Sequence, residues 1–158
     1  MRSRRTTPSG LTSRTVLTGD PACAPRAIVD YALARRAVLT AVAGGRMRRS
    51  DVCDAGVYLR RAARYHGEPA DADCPICRTE PLVTVTYTYG DSFRPDVNGR
   101  ARPTRDLAEL ARQHPEFRVY VVEVCVDCGW NHLLTSYLLG TGEPAVGAAA
   151  RRSRARGR

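Results

Sequence analysis

The first half of the chain carries apolar residues at helical spacing. Between residues 27 and 43 they recur at the i, i+3 and i+4 positions of one helical face, at Ile28, Tyr31, Val38, Leu39 and Val42. Ser50 is an N-cap residue for a short helix over 51–55, and a third helix is predicted from Val57 to His66. Residues 20–67 are therefore predicted to form a helical segment.

The second half of the chain has the alternation of β-strands. In residues 82–89 valines and tyrosines alternate with threonines, and residues 117–124 form a second run rich in β-branched side chains. Residues 104–114 have the spacing of a helix inserted between these two strands. Residues 130–139 fit a helical face as well as a strand, and we favour the strand. The pattern predicts an antiparallel sheet with one inserted helix.

The net charge of +9 is concentrated at the two ends of the chain. Residues 1–19 and 141–158 carry +4 each, which leaves +1 for residues 20–140. All 25 basic residues are arginine, which is as typical of a GC-rich genome as of phosphate recognition. No apolar run approaches the roughly 18 residues of a membrane helix, and no secretory signal follows the N-terminus. We therefore expect a cytoplasmic protein without a membrane partner.

Two cysteine pairs of equal spacing are the most informative motif. They are Cys74-Pro75-Ile76-Cys77 and Cys125-Val126-Asp127-Cys128, each beside a predicted strand. Two residues between thiols let one tight turn aim both sulfurs at one ion, and two such turns complete a tetrahedral site for one structural Zn²⁺. The 47 residues between the pairs exceed the about 15–20 of compact modules, and the inserted helix accounts for the excess. Four thiolates leave no open coordination position, which argues against an enzyme.

The predicted fold class is α+β, with the N-terminal helical segment packed on a zinc-ribbon-like antiparallel sheet that contains one inserted helix. Residues 68–73 are expected to be an acidic linker, and residues 74–140 the expanded zinc ribbon. The basic arm 1–19 and the Arg/Ala-rich tail 141–158 are predicted to be disordered. Of the remaining cysteines, Cys23 is expected to be an inert arm residue and Cys53 a small core residue.

Other chemistries fit these residues less well. A thiol redox protein needs a C-x2-C pair at a helix N-terminus after a strand, and Cys77 is followed instead by a predicted strand. His66 and Glu68 before Cys74 resemble part of a zinc deaminase motif. In that motif the ligands converge from the N-termini of two helices, and the five residues between Glu68 and Cys74 are too few to supply them. His132 could replace a cysteine ligand, although packing is the simpler role. No small-molecule substrate is indicated.

Two surfaces are candidates for partner binding. Aromatic residues on or beside the sheet, with one arginine, have the composition of a base-stacking platform: Tyr87, Tyr89, Arg118 and Trp130. The predicted helix after Gly56 carries Arg60, Arg61 and Arg64, and with the short helix before it resembles a helix-turn-helix. The alternative for both surfaces is ordinary packing of aromatics and a solvated arginine face.

Several strings together resemble a known family. They are Val29-Asp30-Tyr31-Ala32-Leu33, Asp51-Val52-Cys53-Asp54-Ala55, the first cysteine pair, Tyr120-Val121-Val122-Glu123-Val124-Cys125 and Cys128-Gly129-Trp130-Asn131-His132. They resemble a family of small uncharacterised proteins of high-GC Gram-positive bacteria, a domain of unknown function, over roughly residues 27–140. The resemblance implies that both arginine-rich ends lie outside the shared domain, and it implies no activity.

The expected function is that of a non-enzymatic zinc-ribbon protein, a cytoplasmic regulator or adaptor that binds nucleic acid or the transcription or translation machinery. This expectation depends in part on association between fold and function. A pure protein–protein interaction module and a thiol redox protein remain the alternatives.

Overall fold

The structure is a computed structural model and describes residues 19–142. Its strands and helices, in chain order, are β1 (Arg26–Asp30), α1 (Ala32–Ala43), α2 (Val57–His66), β2 (Glu68–Asp73), β3 (Pro81–Tyr89), β4 (Arg100–Arg102), α3 (Leu107–Gln113), β5 (Phe117–Val124) and β6 (Asn131–Leu139). Three short 3₁₀ turns precede β1, α2 and α3, at Pro21–Cys23, Arg49–Asp51 and Thr104–Asp106.

A single antiparallel sheet organises the described residues. Its order is β1-β6-β5-β3-β2, with β4 paired to β3 beside β2. Two hairpins, β2–β3 and β5–β6, lie side by side because β3 pairs antiparallel with β5. Both hairpin turns therefore fall at the same end of the sheet. The predicted α+β class with an antiparallel sheet is confirmed.

The two faces of the sheet bury different helices. On one face, Phe117, Val119 and Leu139 pack with α3 and with the turn that contains Cys23. Nearer the hairpin turns, Leu82 and Trp130 pack with α1. The opposite face carries α2 over Val85 and Val124, since successive strand residues alternate between faces. Helices α1 and α2 thus pack on opposite faces of the turn-bearing end of the sheet, and α3 packs at its other end.

The prediction of one helix over residues 27–43 is partly wrong, because Arg26–Asp30 is an edge strand on β6. Ala27 has a φ of 47°, a conformation outside the right-handed helix, and Ile28 is 62% exposed rather than on a core face. Helix α1 begins only at Ala32, whose N–H donates to the Asp30 carboxylate. Strand pairing with β6 therefore overrides the helical spacing of residues 26–30.

The short helix predicted over 51–55 is not present, so the helix-turn-helix interpretation is wrong. Arg49–Asp51 is a 3₁₀ turn in which the Asp51 carboxylate accepts from the Arg48 N–H, so Asp51 has the capping role that the sequence pattern assigns to Ser50. The chain then continues without regular structure to α2, which matches the predicted Val57–His66 helix.

Residues 68–73 form strand β2 rather than a linker. The Glu68 carboxylate accepts hydrogen bonds from the N–H and hydroxyl of Thr104, which ties this edge strand to the start of the inserted segment. The acidic composition did not indicate a strand, because charged side chains are tolerated on an exposed edge strand such as this one.

The remaining strand and helix predictions agree with the structure. Strands β3 and β5 match their predicted ranges, β6 settles the ambiguous residues 130–139 as a strand, and α3 occupies most of 104–114. The predicted disorder of the arm and tail concerns residues that lie almost wholly outside the described range 19–142. Among the helices in that range, none has the length and apolar character needed to cross a membrane.

Candidate metal centre

The four predicted metal ligands meet at the end of the sheet where both hairpins turn. The sulfur atoms of Cys74, Cys77, Cys125 and Cys128 all lie within 4.8 Å of one another. Across the two turns, Cys74 Sγ lies 3.6 Å from Cys128 Sγ, and Cys77 Sγ lies 3.7 Å from Cys125 Sγ. Sulfurs placed about 2.3 Å from a tetrahedral Zn²⁺ are about 3.8 Å apart, so the spacing and the donor set both fit such an ion.

The two cysteine turns share one backbone conformation. In each, the residue after the second cysteine donates its N–H to the carbonyl of the first, from Arg78 to Cys74 and from Gly129 to Cys125, both at 3.0 Å. That residue is left-handed in both turns, with φ of 59° at Arg78 and 85° at Gly129. The repeated geometry brings each pair of sulfurs to the same side of its turn.

Backbone amides also point at the sulfurs. The Ile76 N–H donates to Cys74 Sγ and the Trp130 N–H donates to Cys128 Sγ, both at 3.4 Å. Such amides stabilise thiolates in a metal site, since they offset part of the negative charge that four thiolates bring to one ion.

The thiol pKa values divide into two groups. Burial raises the pKa of Cys74 to about 12 and also raises the pKa of Cys125. The Thr79 hydroxyl, with backbone N–H groups, lowers the pKa of Cys77 to about 6. Burial opposes ionisation of Cys128, yet the Trp130 N–H and the neighbouring thiols lower its pKa. Each pair thus combines a buried sulfur that resists ionisation with an outer one that ionises readily.

Arg60, predicted to contact a partner, binds the second cysteine turn instead. Its guanidinium donates to the carbonyls of Ala55 at 3.0 Å, Asp127 at 3.2 Å and Cys128 at 3.4 Å. Gly129 gives it room, because a Cβ there would lie 2.2 Å from Arg60 Nη2. Arg60 therefore connects α2 to the metal centre, a role that no local pattern in the sequence indicates.

The prediction for the two remaining cysteines is correct in part for Cys53 and wrong for Cys23. Cys53, predicted as a core residue, is half-buried and packs against the core beside the centre, where its Sγ lies 3.7 Å from Cys128 Sγ. Interaction with Cys53, and to a smaller extent with Cys128, raises the pKa of the Arg49 guanidinium. Cys23, predicted as an arm residue, is a core residue under α3 and donates to the Ala108 carbonyl.

Trp130, predicted to stack on a partner, is fully buried behind the second turn. Its indole N–H donates to the Glu123 carboxylate at 2.9 Å, and that carboxylate also pairs with Arg35 of α1. Glu123 is 5% exposed, and this pairing compensates the cost of burying its charge. The network attaches α1 to the sheet beside the metal centre, and it removes Trp130 from any contact surface.

The histidines of the alternative metal sites are not ligands here. His66 is exposed, and Glu68 is engaged with Thr104. The His132 ring stacks on Trp130, with ring centroids 5.9 Å apart, and its Nδ1 donates to the Leu133 carbonyl. The four-cysteine set is therefore the metal-ligand cluster among the described residues.

Two groups of predicted partner residues remain on the surface. Arg61 and Arg64 are exposed on α2, beside Tyr58 and Tyr65, which are 88% and 75% exposed. The second group lies on the sheet face that carries α2. There Tyr87 and Tyr89 join Tyr120 in an apolar groove of about 640 Å³, and Arg118 lies opposite Tyr89 in the β3–β5 ladder.

Comparison with known proteins bears on the chain as a whole. A model of a family of unknown function, DUF5318, matches residues 23–155. The chain belongs to this family. An uncharacterized protein of Mycobacterium tuberculosis, Rv0049, and one of Mycobacterium bovis, Mb0050, are each 49% identical to it over 117 residues. The match covers 74% of this chain and 85% of each relative. No solved structure matches.

Membership of DUF5318 confirms the resemblance to a family of high-GC Gram-positive bacteria, but the match extends to residue 155, so the expectation that the C-terminal arginine-rich end lies outside the shared domain is wrong. The matched range contains all four clustered cysteines and Cys53. The family description carries no activity, so the geometry of the chain is the basis for a functional proposal.

Proposed function

We propose that this DUF5318 protein is a non-enzymatic zinc-ribbon protein of the cytoplasm, a regulator or adaptor that binds nucleic acid directly or within the transcription or translation machinery. The observation that carries the proposal is the cluster of four sulfurs at the tips of two adjacent hairpins. Because thiolates fill every tetrahedral position, the ion acts as a structural element and activates no water. The function then belongs to the surface that the ion stabilises.

The zinc part of the proposal follows from the donor set. Four thiolates at tetrahedral spacing favour Zn²⁺ among the abundant divalent ions, since Ca²⁺ and Mg²⁺ prefer oxygen ligands. Arg60 and the backbone amides around the sulfurs serve as the supporting layer that such sites require. Purified protein is expected to contain one zinc per chain by elemental analysis.

The nucleic-acid part is supported by the outer face of α2. Tyr58, Arg61 and Tyr65 lie three and four residues apart, so they share one side of the helix, and Arg64 adjoins them. All four are exposed, and within residues 19–142 neither Arg61 nor Arg64 has a carboxylate partner. Arginines beside exposed aromatic rings suit an unpaired strand, in which phosphates bind the guanidinium and bases stack on the rings.

The test is binding of fluorescently labelled single-stranded RNA and DNA to the full chain, followed by anisotropy across a salt series. The double variant Y58A/Y65A is expected to weaken binding by at least about tenfold, because each stacked base contributes about 1–3 kcal/mol. R61Q/R64Q is expected to weaken it and to flatten its dependence on salt, by about 0.7 in slope for each phosphate that the variant no longer binds.

A matched control removes the same charge elsewhere. R94Q/R105Q takes away two arginines that are 82% and 83% exposed in the segment between β3 and α3, and it leaves both arginine-rich ends intact. If this control weakens binding as much as R61Q/R64Q, only the net charge matters and α2 is not the contact surface. Absence of binding by the full chain would contradict the nucleic-acid part while leaving the metal centre untouched.

A protein–protein interaction module is the second candidate, and the apolar groove on the sheet favours it. Tyr87, Tyr89 and Tyr120 line this groove together with Val122 and Leu133. Aromatic and aliphatic side chains without a charged member are typical of the centre of a protein interface. Y120A is expected to abolish a protein partnership at the groove and to leave single-strand binding at α2 unchanged, which separates the two candidates.

The thiol redox protein receives no support from the local structure of the cysteine pairs. Each pair lies in a hairpin turn followed by a strand, β3 or β6, and neither begins a helix. A helix N-terminus is what lowers the pKa of the attacking cysteine in thioredoxin-like motifs. Failure to catalyse disulfide reduction in the presence of bound zinc is the expected outcome.

A further inference from the structure

We propose that Cys53 and Cys128 form an oxidation-sensitive thiol pair, and that peroxide converts them to a disulfide that removes Cys128 from the metal. The disulfide itself is independent of the proposed function, whereas release of zinc depends on the proposed metal centre. Cys53 has no role in a four-coordinate site, and yet its sulfur lies 3.7 Å from the sulfur of Cys128.

The position of Cys53 favours Cys128 as its partner. Among the four ligands, Cys74 and Cys125 are 1% and 0% exposed, whereas Cys77 and Cys128 are half-buried, as is Cys53. A small oxidant therefore has access to Cys77 and Cys128, and of these two ligands Cys128 is the one whose sulfur lies beside that of Cys53. Cys53 and Cys128 both raise the pKa of the Arg49 guanidinium, so a cation stands beside the negative charge that develops during reaction at either sulfur.

The backbone around Cys53 permits the movement that a bond requires. A disulfide needs the two sulfurs at about 2.05 Å, closer than they are here. Residues 53–56 belong to no helix or strand, and the Cys53 N–H is held by a single turn hydrogen bond to the Arg49 carbonyl. Cys128, in contrast, is fixed between two ladder strands. We expect Cys53 to move toward Cys128.

The chemistry balances with hydrogen peroxide as the two-electron oxidant. The Cys128 thiolate attacks one peroxide oxygen, the O–O bond breaks, and hydroxide leaves and takes a proton to form water. The resulting Cys128 sulfenic acid is attacked by Cys53, which loses its proton as the S–O bond breaks and a second water leaves. Two thiols are oxidised and one peroxide is reduced to two waters. Three cysteines remain for the metal, too few for a closed site.

The test uses the full chain loaded with zinc and treated with hydrogen peroxide. Zinc release is followed with a colorimetric chelator, and the bridges are located by non-reducing tryptic mass spectrometry. Cleavage after arginine places Cys53 in peptide 50–60, Cys74 and Cys77 in peptide 65–78, and Cys125 and Cys128 in peptide 119–151. The expected product is a cross-link between peptides 50–60 and 119–151, with the bond assigned to Cys128 by fragmentation, formed in step with zinc release.

Three variants keep all four ligands. C53S is expected to lose the cross-link and to release zinc about tenfold more slowly, because the other sulfurs near Cys128 are metal ligands and only Cys53 is free to resolve the sulfenic acid. C23S is the matched control, since Cys23 is buried under α3 and far from the centre, and it should behave as the parent chain. R49Q is expected to slow the cross-link without changing the initial zinc content.

Three other outcomes would each overturn part of the proposal. Disulfides confined to peptides 65–78 and 119–151, at the same rate in C53S, would overturn the thiol pair. A sulfenic acid that persists without a cross-link would also overturn it. Cross-linking in protein that contains no zinc before treatment would overturn the metal centre and the release step, while it leaves the Cys53–Cys128 pair established.

Discussion

Two residues at equivalent positions show how the cysteine turns depend on backbone conformation. Arg78 and Gly129 each follow the second cysteine of a turn, and both adopt positive φ. An L-residue pays about 1–2 kcal/mol in this conformation, and glycine avoids that cost. Arg78 has open surroundings, whereas a Cβ at Gly129 would meet Arg60 and would lie 3.1 Å from the Cys53 carbonyl oxygen. The cost of positive φ therefore applies to both turns, and Arg78 bears it, whereas the close contacts with Arg60 and Cys53 require glycine at the second turn only.

Substitution of Gly129 tests this difference. G129A is expected to lower the free energy of unfolding of the zinc-loaded protein by more than about 2 kcal/mol, because strain at φ of 85° adds to displacement of Arg60. The control is G45A, at φ of 72° with no atom within 4 Å of the added Cβ, which carries the strain alone at about 1 kcal/mol. Urea denaturation of both variants measures the comparison, and equal losses would show that the proximity of Arg60 contributes nothing.

At the scale of elements, helix α2 has two faces with different tasks. The inner side places Ala63 and Leu59 against the sheet and sends the Arg60 guanidinium to the carbonyls of the second cysteine turn. The outer side carries Arg61, one residue further along the chain, into solvent. Arg60 thus belongs to the candidate metal centre, and its neighbour Arg61 belongs to the proposed nucleic-acid surface.

The pair R60A and R61A separates these tasks. R60A is expected to cost about 1–3 kcal/mol in unfolding free energy and to speed zinc transfer to a chelator, since it leaves carbonyls of the turn without a charged donor. R61A should stay within about 0.5 kcal/mol of the parent chain, as exposed substitutions do, and weaken only single-strand binding. Thermal unfolding and chelator competition provide the measurements. Equal stability of the two variants would contradict the structural role of Arg60.

The elements also show what the sequence allows one to predict. Strands β3 and β5 were predicted correctly because they are central strands rich in β-branched and aromatic residues, and the cysteine spacing identified all four clustered sulfurs. Strand β1 was missed because an edge strand needs no alternation, and Ile28 and Val29 are both exposed. Cys53, Arg60 and Trp130 were misjudged because their roles come from contacts 67 to 75 residues away or from burial, which no local pattern encodes.

At the scale of the whole molecule, the four-cysteine cluster lies at one end of the sheet only. The core around Trp130, Leu82 and Val52 directly contacts the clustered cysteines and α1. The core around Phe117, Val119 and Leu107 lies at the other end, under α3, and includes none of the four. Loss of the ion is therefore expected to affect the two ends unequally, although the strands are continuous.

Removal of zinc by a chelator tests this asymmetry. Without the ion, the buried thiols of Cys74 and Cys125 stay protonated, the outer sulfurs lose their common partner, and the two hairpin tips have nothing to join them. Trp130 is the single tryptophan of the chain and is fully buried at this end, so its emission should shift to longer wavelength.

Hydrogen exchange should rise in α1, α2 and the turn 125–129, while amides of α3 and the first half of β5 keep most of their protection. Because zinc lowers the pKa of its thiol ligands, acid should produce the same loss, with stability present at neutral pH and falling as protons displace the metal. Uniform deprotection of both ends would show a single cooperative unit, and unchanged Trp130 emission in verified metal-free protein would contradict a structural role for the ion.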